Sequence, residues 1–287
     1  MLSPGRWTRR GLLTLLILLW PTMYWITTPA GVFAQTRAPL VTRDVTMTTS
    51  DGVVISGVYR PGKKSGPAVL LLHMVGRTAE DWKYMAENFQ RNGYHVLAID
   101  LRGHGKSIRQ GDKTLDFQSF TDDDYQKMSE DVAAAVTWLR GQADVDGDKV
   151  AIVGASIGAN LGLKYAAGDA RISHVAMLSP GLEYKGVEIE GAIQQYGDRP
   201  IFLAVSREDN YSAKSVLVLE ATSTSQRKEM RIFTGAGHGT KMLSREPGLE
   251  STLLAWLNGT LASGDNVGLT AGPPTSPPSA PPRPPAP

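Results

Sequence analysis

Ser156 stands at the centre of Gly154-Ala155-Ser156-Ile157-Gly158, directly behind the apolar run Val150-Ala151-Ile152-Val153 and ahead of a stretch rich in Ala, Leu and Gly. A serine flanked by glycines where a buried strand runs into a helix has the setting of a nucleophile. The turn forces the serine into a strained conformation with crowded neighbours, so glycine is needed two residues to either side. The hydroxyl then stands free above the sheet, where the helix N-terminus favours developing negative charge. Such a serine needs a base, and the chain has five histidines. His238 lies in Gly-Ala-Gly-His-Gly after the last strand, a loop whose glycines let an imidazole reach over the sheet. His104, in Arg-Gly-His-Gly, is the second choice. His95 and His174 open strands, at the opposite end of a parallel sheet from its sites, and are expected to be solvated or structural. His73 reads as an anchor of the loop that it begins. The carboxylates to weigh are Asp209, its neighbour Glu208, and Glu183 after the preceding strand, each of which also reads as a plain surface acid.

Two other motifs do not stand. Gly105-Lys106-Ser107 ends like a phosphate-binding loop, but the position of the required first glycine holds Asp100. Asp144, Asp146 and Asp148 have calcium-loop spacing, yet Lys149 replaces the needed glycine and Ala155 the closing glutamate, so they read as a polar turn before a strand. The histidines show no metal-ligand spacing, and no cofactor is expected.

The absence of cysteine excludes disulfides, thiolate metal sites and a thiol nucleophile. The chain carries 30 Lys and Arg against 28 Asp and Glu. Three of those arginines and no acid fall in residues 1–34, so the remainder is nearly neutral and nucleic acid is not an expected partner. Arg6, Arg9 and Arg10 precede an apolar run to about Ile26, and Val32-Phe33-Ala34 offers small residues for cleavage. Residues 1–34 therefore read as a secretory signal peptide, with a mature chain starting at Gln35 in the periplasm or outside the cell. An uncleaved membrane anchor is the alternative, and the only reason to expect a membrane partner. Thr8-Arg9-Arg10-Gly11-Leu12-Leu13 also resembles a twin-arginine export signal. From 263 to 287 the chain is rich in Pro, Gly, Ser and Thr, a composition that cannot bury a core and predicts a disordered tail.

The elements that must position Ser156 and His238 lie in the domain left between, 35–262. A hairpin is expected at Val45–Met47 and Val53–Tyr59, then strands at Ala68–His73, His95–Leu101, Val150–Ala155, Val175–Leu178, Ile201–Val205 and Met230–Phe233. Helices fall near 79–92, 120–141, 157–167, 213–221 and 247–261. This alternation predicts an α/β fold, a mostly parallel sheet with helices on both faces. The short gap before strand 201–205 leaves no room for a large lid domain.

LLLHMVG at 70–76, IDLRGHGKS at 99–107, GASIG at 154–158, REDNYS at 207–212 and GAGHG at 235–239 resemble, in this order, the α/β-hydrolase superfamily over residues 45–260. The short gap is most similar to the lidless dienelactone-hydrolase and small serine-esterase branch. The resemblance implies a Ser156–His238–Asp209 triad and an oxyanion hole of two backbone N–H groups. One is that of Ile157. The other belongs to Val75 or Met74, in a loop where Met74 replaces the family's usual glycine. It further implies cofactor-free hydrolysis of a small-molecule ester or thioester. Peptidase or perhydrolase chemistry on the same residues is an alternative, as is a catalytically silent envelope binding protein.

Overall fold

The strand segments nearest Ser156, residues 68–72, 150–153 and 175–178, are apolar at every position rather than at every second one, the composition of strands covered on both faces. The computed structural model describes residues 40–262, so the leader at 1–34 and the tail at 263–287 lie outside the described residues. It opens with the antiparallel pair β1 (Arg43–Thr48) and β2 (Val53–Arg60). Then come β3 (Gly66–Leu72), α1 (Lys83–Arg91) and β4 (His95–Ile99). A small hairpin, β5 (Arg109–Gln110) and β6 (Lys113–Thr114), leads to α2 (Asp122–Gln126), α3 (Met128–Arg140) and β7 (Val145–Ala155). There follow α4 (Ile157–Gly168), β8 (Ile172–Leu178), the two-stranded β9 (Glu183–Tyr184) and β10 (Val187–Glu188), and α5 (Glu190–Tyr196). The last elements are β11 (Ile201–Ser206), α6 (Asn210–Thr222), β12 (Lys228–Phe233), α7 (Lys241–Arg245) and α8 (Pro247–Leu257).

The strands run β12-β11-β8-β7-β3-β4-β2 across the sheet, parallel from β12 to β4, with β2 antiparallel to β4 and β1 and β5 both paired to β2. After β3 the chain adds β4 on one side and then returns to add β7 on the other. The carboxyl ends of β3 and β7 therefore flank the crevice where open α/β sheets bind ligands. Each face is buried under helices. Val132, Leu139, Leu161, Ile193, Val216 and Leu219 from α3 to α6 pack with Leu70, Leu72 and Ile152 on one face. Met85, Phe89, Leu253 and Leu257 from α1 and α8 pack with Leu71, Val96 and Val153 on the other.

The expected strands are all present, with ends moved by up to five residues. Two expectations need correction. The helix foreseen over 120–141 divides at Lys127 into α2, which a reciprocal capping box of Thr121 and Asp124 opens, and α3. Val145 to Asp148 continue β7 through an irregular pairing with β3 rather than forming a turn before it. Of the two roles expected for His95 and His174, solvated or structural, their burial fits the structural one. His95 bonds the Tyr59 hydroxyl, Gly62 N–H and the Lys63 carbonyl, whereas His174 packs edge-on to Trp256 and burial pulls its imidazole down to about 3. The hairpins β5–β6 and β9–β10 and the helices α5 and α7 were not foreseen.

Candidate active site

Ser156 joins β7 to α4 with φ 54 and ψ −122, a backbone region that side chains other than glycine seldom enter. Its N–H donates to Leu178 on β8 at 2.8 Å, which ties the strained turn to the neighbouring strand. The glycines are sterically required: a Cβ on Gly154 would come within 2.3 Å of the Gly158 carbonyl oxygen, and one on Gly158 within 2.5 Å of the Leu72 carbonyl oxygen. Ile157 opens α4, where a backbone N–H lacks an intrahelical acceptor and is free for an anion.

Across the crevice, the loop after β3 is held by two imidazoles. His73 is fully buried, its Nδ1 against the Met74 carbonyl at 2.8 Å and its Nε2 accepting the Leu101 N–H at 2.9 Å. His104 is stacked on Phe117, its Nδ1 against the Arg102 carbonyl at 3.0 Å and its Nε2 accepting the Gly76 N–H at 3.0 Å. An Nε2 that accepts carries no proton, so both rings are held neutral. Burial agrees, pulling His73 down to about 3 and His104 below its ordinary value. With Gly76 N–H bonded to His104 and Arg77 N–H to the Met74 carbonyl, the loop's remaining amides are those of Met74 and Val75. The departure from glycine at Met74 has a packing counterpart, since a Cβ on Gly239 would meet the Met74 sulfur at 2.6 Å.

His238 follows β12 and Asp209 follows β11, and the structure brings them together: Nδ1 lies 2.6 Å from the Asp209 carboxylate. The other two acids serve their own loops. Glu208 accepts from Ser206 at 2.7 Å and from Gly235 N–H at 2.8 Å, which shapes the turn leading to His238, and Glu183 accepts the Gly186 N–H within its hairpin. Among the described residues no hydrogen bond links Ser156 to His238, and such bonds often tighten only with substrate in place. Tyr184, which the sequence did not single out, stands against both. Its ring lies edge-on to the His238 imidazole with centroids 6.1 Å apart, and the nearby Ser156 side chain lowers its phenol slightly against the larger rise from burial. Among the described residues no group of three or more His, Asp or Glu converges in a metal-holding arrangement.

Burial alone would raise the Asp209 carboxyl, but hydrogen bonds from His238, and from Ser212 and Ser179, outweigh it and hold the group below the usual carboxylate value. A depressed acid contributes stability above its unfolded pKa of about 3.9 and loses it as pH falls through the lower folded value. The stability advantage of wild type over Asp209→Asn is therefore expected to be full at pH 6 and to shrink below about pH 4, as read from melting temperatures. A gap unchanged down to pH 2.5 contradicts this account of the pair.

A family model for the alpha/beta hydrolase fold matches residues 67–195. The polyketide transferase GrgF of Penicillium sp. is 27% identical over 187 residues, which cover 61% of this chain and 61% of that protein. The thiohydrolase AneE of Aspergillus aculeatus is 29% identical over 143 residues, 49% of this chain and 42% of that protein. The chain thus matches less than two thirds of the length of these relatives. The crystal structure of GrgF superposes with a TM-score of 0.65 at 20% identity, over 78% of this chain and 100% of that one. Dienelactone hydrolase from Anabaena variabilis gives 0.62 at 22% identity, over 77% and 99%. With its sheet reversing at the crevice that holds Ser156 and no large lid among the described residues, this chain has the α/β-hydrolase fold.

Proposed function

We propose that this chain is an exported serine hydrolase that cleaves a carboxylic ester or thioester through an acyl-enzyme. The reading is carried by one juxtaposition: a strained serine at the end of β7 on the same rim of the sheet as an imidazole bonded to a carboxylate at 2.6 Å. His238 takes the Ser156 proton as the hydroxyl oxygen attacks the carbonyl carbon, and Asp209 holds the imidazole and offsets its positive charge. The N–H of Ile157 and that of Val75 or Met74 receive the oxyanion. The proton on His238 then passes to the leaving group. Water, activated by the same base, releases the acid and restores Ser156. The relatives support acyl chemistry on small molecules, one being named a thiohydrolase and another a polyketide transferase. Export rests on the arginine-flanked leader.

A fluorophosphonate probe is expected to label the protein once, at Ser156, in parallel with loss of hydrolysis across a panel of ester substrates. Labelling should vanish in Ser156→Ala. A protein that neither takes the probe nor turns over any ester or thioester overturns the reading.

A further inference from the structure

The β9–β10 hairpin places a phenol, that of Tyr184, edge-on to the His238 imidazole. We propose that the Tyr184 hydroxyl hydrogen-bonds the leaving-group oxygen of the substrate and so fits this site to oxyesters with poor, alkoxide leaving groups rather than to thioesters. The proposal rests on the serine-hydrolase reading above and narrows its substrate class.

Position comes first. The oxyanion loop follows β3, on one side of β7, whereas Tyr184 follows β8, on the other. The oxyanion therefore points away from Tyr184. The leaving group, which must lie toward His238 to receive its proton, points to the side where the Tyr184 ring stands 6.1 Å from that imidazole.

Rigidity comes second. A two-residue hairpin is marginal alone, but this one is fastened along its length. Its turn carries Lys185 and Gly186 at positive φ, and the Glu183 carboxylate accepts the Gly186 N–H. The buried Asn160 on α4 donates to the Val187 carbonyl at 2.9 Å, and Leu182 N–H donates to Ser215 on α6 at 3.2 Å. The Tyr211 hydroxyl takes the Glu183 N–H at 3.1 Å and returns a bond to its carbonyl at 2.8 Å. A phenol so held keeps its direction without substrate, as a preorganised donor requires.

Chemistry comes third. The Tyr184 oxygen lies 2.8 Å from the fully buried Ser212 hydroxyl, and either can be the donor. The Tyr184 hydroxyl also has the Ser179 carbonyl as a long acceptor at 3.4 Å, and when Ser212 turns its proton to the Tyr184 oxygen rather than to Asp209, the phenol proton can leave that carbonyl and turn toward the crevice. Burial pushes the phenol up to about 12, with hydrogen bonds from Ser212 and Ser156 opposing, so it stays protonated at working pH and serves as a donor rather than a base. In acylation the Ser156 oxygen to carbonyl-carbon bond forms and the carbon to alkoxy-oxygen bond breaks. The Ser156 proton travels through His238 to the departing oxygen, while the Tyr184 proton remains on its own oxygen. An alkoxide accepts such a bond strongly. A thiolate accepts weakly and leaves with less help.

The experiment compares kcat/KM of wild type and Tyr184→Phe on three substrates of one acyl group: an ethyl ester, a p-nitrophenyl ester and an ethyl thioester. The expected loss is about 10-fold or more on the ethyl ester and under about 3-fold on the other two. A merely structural tyrosine would slow all three alike, and an equal loss, or none, overturns the proposal. Should Tyr184→Phe fold poorly, 3-fluorotyrosine in place of Tyr184 reads the same donor. Its more acidic hydroxyl is expected to raise the ratio of ethyl-ester to thioester turnover, and an unchanged ratio overturns the proposal. Fluorophosphonate labelling of Ser156 in the same samples separates the outcomes: a labelled enzyme without leaving-group selectivity defeats the Tyr184 role alone, whereas no labelling and no turnover defeats the hydrolase reading beneath it.

Discussion

Ser156→Ala and His238→Ala are each expected to lower kcat by about 10³-fold or more, with the double variant little worse than either alone. On the proposed roles, each group works through the other. Without the hydroxyl, the imidazole has no proton to take, and without the imidazole the hydroxyl is a weak nucleophile in its strained turn. What survives both changes is the electrostatic contribution of the Ile157 and loop amides. Asp209→Ala should cost less, on the order of 10²–10⁴-fold, because His238 keeps its nitrogen and loses the carboxylate that orients it. Losses in the double variant that multiply would refute the coupling. A nearly silent Asp209→Ala, beside a severe Glu208→Ala or Glu183→Ala, would move the acid despite the 2.6 Å contact.

Asp131→Ala is expected to destabilise the fold by about 3–5 kcal/mol, as urea unfolding would show. Asp131 on α3 is fully buried and accepts from both the backbone N–H and the Nε of Arg102, each at 2.8 Å. Burial pushes the Asp131 carboxyl up, and the Arg102 charge and hydrogen bonds oppose it. The guanidinium also donates to Asp51, in the β1–β2 turn, at 2.6 and 3.0 Å. Removing Asp131 strands a buried cation with one partly exposed partner, and a charge left unpaired costs more than the pair is worth. Replacing both members with apolar residues, as Arg102→Met with Asp131→Leu, should therefore cost less than Asp131→Ala alone. If Asp131→Ala unfolds within 1 kcal/mol of wild type, the network is not the anchor described. The site should feel the loss as well, since Arg102 precedes by two residues the His104 that holds the Gly76 N–H.

What was legible in the sequence divides along a physical line. The turn at Ser156 could be read because its demand is local: a strained serine excludes a Cβ two residues away on either side, and the flanking apolar run names the strand. Asp209 was chosen over Glu208 by resemblance alone, because adjacent side chains differ in direction and direction is set by tertiary contacts. In the fold, Glu208 turns back to Ser206 and Gly235. Tyr184 left no trace of its position. A strand of two residues has no periodicity, and its place depends on Asn160, Ser215 and Tyr211 at distant points of the chain. The depth of His174 stayed open between solvated and structural for a related reason: opening a strand says which end of the sheet a residue occupies, but not that Trp256 of α8 packs against it.

Ser156, the proposed nucleophile, sits near the middle of the sheet, between β3 and β8, while the His238 imidazole hangs from β12, its edge strand and the last of the described strands to be made. Synthesis supplies Ser156 some eighty residues before His238. A chain that has assembled β3, β4, β7 and β8 already holds the serine in its turn, yet has neither acid nor base beside it. Proteins grow from the N-terminus, so on the proposed roles every form that ends before His238 is inert. Turnover thus reports completion: it is withheld until the final strand is laid down.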